Sequence, residues 1–197
     1  MIIGLNLDGV LAEMMPPLND FYNRRTGNNF RVRDYKYHDL ERTWGCSKQK
    51  AVRIVENFYQ SPNFLKIRPM PRAQQGIWFL SANHRFFSIT SRPESTRAIT
   101  EDFIKRNFGS IIKKVIHTGQ YASAASSINK FDICVQEKAG ALIEDCLETA
   151  IDSANRGLFT FLLDCPYNQF NGEVSAESIP KNLVRVGSWQ KIMEILK

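Results

Sequence analysis

Ile2-Ile3-Gly4-Leu5-Asn6-Leu7-Asp8-Gly9-Val10-Leu11 decides the fold, because it reads as a buried strand that ends in two polar side chains and a glycine. Side chains two apart on an extended chain leave the same face. Asn6 and Asp8 are therefore expected side by side at the C-terminal mouth of the strand. Two oxygen-bearing groups in that position suit a hard cation and a phosphate. A simpler reading stays open beside this one, in which Asn6 to Gly9 is only a turn closing a strand.

The stretch after it, through Glu13-Met14-Met15-Pro16-Pro17, breaks the chain before a helix that carries Leu18, Phe21, Tyr22 and Arg25 on one face and ends at Gly27. Residues 30–45 lack a clean period and read mostly as loop. Ser47 is the expected N-cap of a helix with Ala51, Ile54, Val55 and Phe58 on its apolar face. Residues 15–70 thus read as a small helical insert without strands. Residues 1–14 and 71–197 form the expected core.

The second half alternates. Pro71 opens a helix with Ala73, Ile77 and Leu80, and 86–90 is a short apolar strand. A helix then turns Ile99, Phe103 and Ile104 inward. Residues 114–117 form a strand, Gly119 to Ser127 a loop, and 130–138 a helix. Residues 141–145 form a strand ending in two acids, and the next helix has its stripe on Leu147, Ala150, Ile151 and Ala154. Residues 159–163 and 183–186 are strands, the last at an edge. Ser188 caps a final helix through Trp189, Ile192, Ile195 and Leu196. Strands alternating with helices predict an α/β fold: a parallel sheet flanked by helices, with ligands at the carboxyl ends of the strands.

Composition narrows the class. The 197 residues are 43% hydrophobic and 23% charged, as in a globular protein, and no apolar run is long enough to span a bilayer. The N-terminus enters a strand at once and lacks a secretory pattern, so a cytoplasmic protein is expected. Cys46, Cys134, Cys146 and Cys165 form no C-x-x-C pair and sit at no zinc spacing from a histidine, so free thiols are expected. The net charge of +6 permits an anionic ligand. The basic residues are scattered, apart from Arg24, Arg25, Arg31, Arg33 and Lys36, so nucleic acid is not the expected partner.

Polar groups fall at or just past three predicted strand ends: Asn6 and Asp8, Thr90 and Ser91, and Glu144 and Asp145. If those strands are neighbours, the groups share one crevice. Phosphoryl transfer needs a nucleophile, a cation, donors for the phosphoryl oxygens and a proton source. Asp8 can act as acid and base, Thr90 can donate its hydroxyl, Lys130 can neutralise charge, and Asp145 with Glu144 can hold Mg²⁺. Each also has a structural alternative: Thr90 and the acidic pair as helix caps, Lys130 as a surface lysine.

This ordered set resembles the haloacid dehalogenase (HAD) superfamily of phosphatases. Its first motif, Asp-x-Asp-Gly-Val/Thr, matches Asn6-Leu7-Asp8-Gly9-Val10. Its second, a Thr or Ser at a strand end, matches Thr90 in Ile89-Thr90-Ser91-Arg92-Pro93. Its lysine matches Lys130, and its acidic pair Glu144-Asp145. Within it, the chain is similar to the 5'(3')-deoxyribonucleotidase branch, which resembles the cytosolic-type-C nucleotidases. There a small helical cap lies between the first two motifs, and phrases like Ser91-Arg92-Pro93-Glu94-Ser95 and Asp164-Cys165-Pro166-Tyr167-Asn168 occur.

The resemblance implies a HAD Rossmann-like core and a Mg²⁺-dependent phosphomonoesterase acting on a small phosphorylated substrate such as a nucleoside monophosphate. The reaction would pass through an aspartyl-phosphate at position 6. Asp8 would serve as general acid and base and lend its main-chain carbonyl to the metal. Asn6, Asp8, Asp145 and Glu144 would surround the metal; Thr90, Ser91, Arg92 and Lys130 would hold the substrate.

Position 6 departs from the pattern. An amide is a very poor nucleophile, and losing a covalent nucleophile costs on the order of 10³–10⁶ in turnover. The chain as given is therefore expected to bind rather than turn over. It is either an engineered trap of an active phosphatase, which the intact remaining machinery favours, or a natural protein that kept binding, as a non-catalytic phospholigand-binding relative. Phe21, Tyr22, Phe30, Tyr35, Tyr37 and Trp44 could stack a base, or form the core of the cap.

Overall fold

The computed structural model describes residues 1–119, 128–169 and 179–197. The expected loop from Gly119 to Ser127 lies outside the described residues from position 120 on.

Six strands build one parallel sheet: β1 (Ile2–Asn6), β4 (Arg85–Thr90), β5 (Ile112–His117), β6 (Ala141–Glu144), β7 (Phe159–Leu163) and β8 (Leu183–Val186), in the order β5-β4-β1-β6-β7-β8. β1 is central, and from Ile3 onward all its residues are buried. A strand covered on both faces has no solvent side, so it reads as a continuous apolar run rather than an alternation. Ile3 and Leu5 pack with helices α4 (Ala73–Leu80), α5 (Arg97–Phe108) and α8 (Trp189–Leu196), through Ile77, Phe103 and Ile192. On the other face, Phe87, Ile89 and Leu142 meet Ile133 and Cys134 of α6 (Lys130–Gln136), and α7 (Leu147–Asn155) packs beside it. Each of these large apolar side chains contributes roughly 1.5–3 kcal/mol when fully buried. This is the α/β architecture expected, with β8 at an edge.

Between the first strand and α4 the chain runs through two further strands and three helices. β2 (Ala12–Glu13) pairs antiparallel with β3 (Arg68–Pro69), a two-residue clasp at the neck of the segment. Inside it lie α1 (Met15–Thr26), α2 (Leu40–Trp44) and α3 (Lys48–Tyr59). Ser47 caps α3 by accepting from the Lys50 amide.

The structure corrects several expectations. Residues 30–45 are not mostly loop: they hold a 3₁₀ turn (Val32–Asp34) and α2. A five-residue helix buries only Leu40 and Trp44, too few positions for a period to show. β3 lies inside a stretch expected to have no strand, because two residues carry no alternation. On α5 the inward face is Thr100, Phe103, Ile104 and Phe108, whereas Ile99 is 39% exposed. On α8, Met193 is buried and Ile195 exposed. On α1, Arg25 lies outside and covers the Phe21 ring. Ile54 and Ile151 are half-buried. All four cysteines are free thiols. No helix among the described residues is long and apolar enough to cross a membrane.

Candidate active site

β1 pairs with β4 on one side and β6 on the other, so the three predicted strand ends are adjacent. The chain leaves β1 toward β4 and β5, then returns to β6 and continues outward to β8. The direction of progression reverses between β1 and β6, and such switch points open a crevice at the carboxyl edge. A cavity of about 150 Å³ lies there. Asn6, Asp8, Ser91, Arg92, Lys130 and Asp145 all line it.

Asn6 stands at its floor. Its Oδ1 accepts from Lys130 Nζ at 2.9 Å. Its Nδ2 donates to the Asp8 carbonyl at 2.7 Å and to Asp145 Oδ1 at 2.5 Å. Lys130 has only donors, so it selects the amide oxygen and turns the NH₂ toward the other two. Lys130 begins α6, where Asn129 caps the helix by accepting from the Phe131 amide, and it is buried. Its Nζ also donates to Glu144 Oε2 at 2.8 Å. Burial alone would pull the Lys130 ammonium down, but the Glu144 carboxylate outweighs it and raises its pKa.

Glu144, at the end of β6, is fully buried and does not line the cavity. Its Oε1 accepts from the Asp145 and Cys146 amides at the start of α7. Asp145 is the member that reaches the cavity. Its Oδ2 accepts from Tyr167 at 2.7 Å, and its carbonyl accepts from Asn168 Nδ2. Burial, with help from the Glu144 charge, pushes the Asp145 carboxyl up to about 6, against the lowering pull of His38, Lys130 and the Tyr167 hydroxyl. Gly9 makes this packing possible: its φ is +82°, and a Cβ there would stand 1.9 Å from Asp145 Oδ2.

Asp8 is 24% exposed and held by two parallel hydrogen bonds from Arg92: Nη2 to Oδ1 at 2.6 Å and Nε to Oδ2 at 2.9 Å. Arg92 is itself buried, donates from Nη1 to Thr100, and lies over the Phe64 ring. Thr90 does not line the cavity. It is fully buried, and its hydroxyl accepts from the Arg92 amide two residues on. Ser91 is the hydroxyl of that segment on the cavity wall.

Several wall residues escaped the sequence reading. Tyr167 lines the wall and Asn168 supports it from behind, on the Asp145 carbonyl; the resemblance quotes both without a role, and the strand-end rule applied to β7, the next strand along, would have assigned them one. His38, Leu40 and Tyr59 come from the helical segment, and the His38 ring meets Tyr167 edge-on at 5.9 Å. Of the six aromatic residues expected to stack a base, Tyr35 and Tyr37 line the cavity. Tyr22 stacks on Trp44 at 4.3 Å, and Phe21 meets Phe58, within the segment's own core.

The donor set does not present a cation cage as arranged. The Asn6 NH₂ points at the Asp8 carbonyl and Asp145 Oδ1, two of the groups expected to hold Mg²⁺, and the second Asp145 oxygen is taken by Tyr167. Among the described residues, no group of three or more His, Cys, Asp or Glu side chains could hold a metal ion.

Comparison with solved structures places this architecture. A haloacid dehalogenase-like hydrolase from Streptococcus pneumoniae is similar over 100% of this chain and 98% of its own, with a TM-score of 0.70 at 13% identity. A HAD family hydrolase from Deinococcus radiodurans, solved with bound phosphate and sodium, aligns over 97% of this chain and 92% of its own, with a TM-score of 0.61 at 11% identity. The fold is that of the HAD Rossmann-like core. A HAD-superfamily hydrolase of subfamily IA from Geobacter sulfurreducens shares it too, over 100% of this chain and 96% of its own, with a TM-score of 0.59 at 13% identity. At these identities the likeness is one of fold. No protein-family profile matches the chain, and no curated protein sequence does.

Proposed function

We propose that the chain binds a small phosphorylated ligand in a HAD-type phosphatase site and holds it without forming an aspartyl-phosphate. The observation that carries this reading is Asn6: a side-chain amide stands at the nucleophile position of the motif, with its oxygen held by Lys130 and its nitrogen by Asp8 and Asp145. Lys130 and Ser91 supply cavity donors for phosphoryl oxygens. Arg92 also lines the cavity, but Asp8 and Thr100 engage its guanidinium. A ligand oxygen would therefore compete with Asp8 for that cation. Asp8 remains the group placed to move a proton at a leaving oxygen.

Residues 15–70 act, in this reading, as a cap over the phosphoryl end. Tyr35, Tyr37, His38 and Tyr59 line the cavity from the cap, and aromatic walls favour a ligand with a flat apolar part. A nucleoside monophosphate meets both requirements. The lineage is then that of a phosphomonoesterase of the nucleotidase kind, with the covalent step removed at position 6.

The test is turnover and binding together. Asn6→Asp, assayed with Mg²⁺ on nucleoside monophosphates and a generic aryl phosphate, is expected to gain hydrolysis that the Asn6 chain lacks. The Asn6 chain is expected to bind the same nucleotides calorimetrically. Hydrolysis by the Asn6 chain at a rate equal to the Asp form would refute the reading, as would the absence of both binding and rescue.

A further inference from the structure

A cation in an oxygen cage does two things. It joins oxygens that would otherwise repel, and it lends positive charge to the anion that binds above it. The Asn6 side chain already does the first. Its two amide hydrogens span the Asp8 carbonyl and Asp145 Oδ1, at 2.7 and 2.5 Å. That orientation is not free. Turning the amide over would set its NH₂ against the Lys130 ammonium and its oxygen against two other oxygens. Lys130 is in turn fixed on Glu144, which is anchored by two backbone amides. On the far side, Asp145 is closed by the Tyr167 hydroxyl and by the Gly9 backbone, against which its Oδ2 packs too closely for any Cβ.

The second task, positive charge, falls to Lys130. A carboxylate at position 6 would add a third acidic side chain beside Asp8 and Asp145, and three converging oxygens would demand a cation. The amide removes the demand and occupies the seat.

We propose that this site binds its phosphoryl group without a divalent metal, the Asn6 amide standing in for the cation between Asp8 and Asp145. The proposal rests on reading the cavity as a phosphoryl site, and it separates this chain from the metal-dependent chemistry that its motifs resemble. Asn6 is then a substitution that rewires the cage as well as one that disables the nucleophile.

The experiment uses inorganic phosphate as the probe, titrated calorimetrically into the full chain in EDTA and again in millimolar Mg²⁺. Thermal melts with Mg²⁺ alone run in parallel, and Asn6→Asp serves as the metal-binding control. For the Asn6 chain, phosphate affinity is expected to change less than about threefold on adding Mg²⁺, with no shift of the melt. For Asn6→Asp, Mg²⁺ is expected to raise the melt and to tighten phosphate by about tenfold or more. Phosphate binding by the Asn6 chain that appears only with Mg²⁺, or a melt that rises with Mg²⁺, overturns the proposal. If phosphate binds neither form, the phosphoryl-site reading falls. The melts of the Asn6 chain still decide the cation question on their own, even if the Asp form does not fold.

Discussion

Replacing Lys130 by Met removes one partner of a buried ion pair and leaves the other. Glu144 is fully buried and Lys130 nearly so, with Nζ and Oε2 2.8 Å apart. Removing one member of such a pair typically costs about 3–5 kcal/mol, because an uncompensated charge stays behind. Two features pull in opposite directions. The Asp145 and Cys146 amides still solvate Glu144 Oε1, which favours the low end. Asn6 Oδ1 also loses its donor, which adds about 1 kcal/mol. A loss of about 4 kcal/mol is expected at neutral pH. For a chain of this size that lowers the melting temperature by roughly 8–16 °C.

The pH dependence fixes the cause. In the native chain the Lys130 pKa is raised, so its contribution is complete below the ordinary lysine value and is lost only as pH rises through the folded one. In the variant the deprived carboxyl is Glu144, whose charge stays buried without its partner. Adding Glu144→Gln removes the stranded charge and should recover about 2 kcal/mol. Urea unfolding of the single and double variants measures both quantities. A Lys130→Met loss under about 1 kcal/mol, or a double variant less stable than the single, would refute the assignment of this pair as the buried support of the site.

Gly9→Ala should cost more than about 2 kcal/mol, since its Cβ would collide with Asp145 in a left-handed backbone; Gly27→Ala, also at positive φ but with open space around it, should cost only about 1 kcal/mol. Paired denaturant curves give the comparison. Asp145 has a folded pKa of about 6, above its unfolded value, so the cost of burying its charge grows from about pH 4 to about pH 6 and stays above that. Asp145→Asn should flatten this decline and stabilise the chain at pH 7 by on the order of 2 kcal/mol; unchanged pH profiles would contradict it. Tyr167→Phe removes a hydrogen bond that favours the charged carboxylate and should move the Asp145 titration higher still, read by carbon NMR of the side-chain carboxyl.

The sheet was legible because its strands are buried on both faces. Continuous apolar runs bounded by polar residues mark such strands, and the strand-end rule then brings Asn6, Asp8 and Asp145 together. Pieces shorter than one period, such as α2 and the β2–β3 clasp, left no pattern to read. The inward face of α5 was misassigned because Thr100, buried and accepting from Arg92, does not look apolar in a sequence. Thr90 shows the limit of a strand-end argument. Placement at the mouth of the crevice does not say where a hydroxyl turns, and here a local bond to the Arg92 amide claims it. His38 carried no local signal, since its contact with Tyr167 depends on how the helical segment settles against the end of β7; Tyr167 carried one, its place just past β7.

The loop that follows β1 is also tied from a distant part of the chain. The indole of Trp189, at the start of α8, donates to the Val10 carbonyl at 2.8 Å, and its ring packs where any side chain larger than glycine at position 76 would intrude. The motif of β1 is thus fastened by a residue 179 positions further along the chain. During synthesis β1 emerges early but acquires its sheet neighbours only with β4 and β6, and its loop acquires this anchor only once Trp189 is free. A chain stalled short of that residue would carry every group of the pocket wall and still lack the bond that holds the Val10 carbonyl. Assembly of the pocket is therefore complete only once Trp189 has emerged, and nascent chains arrested before and after its emergence should differ in how well the Asn6–Val10 loop resists proteolysis.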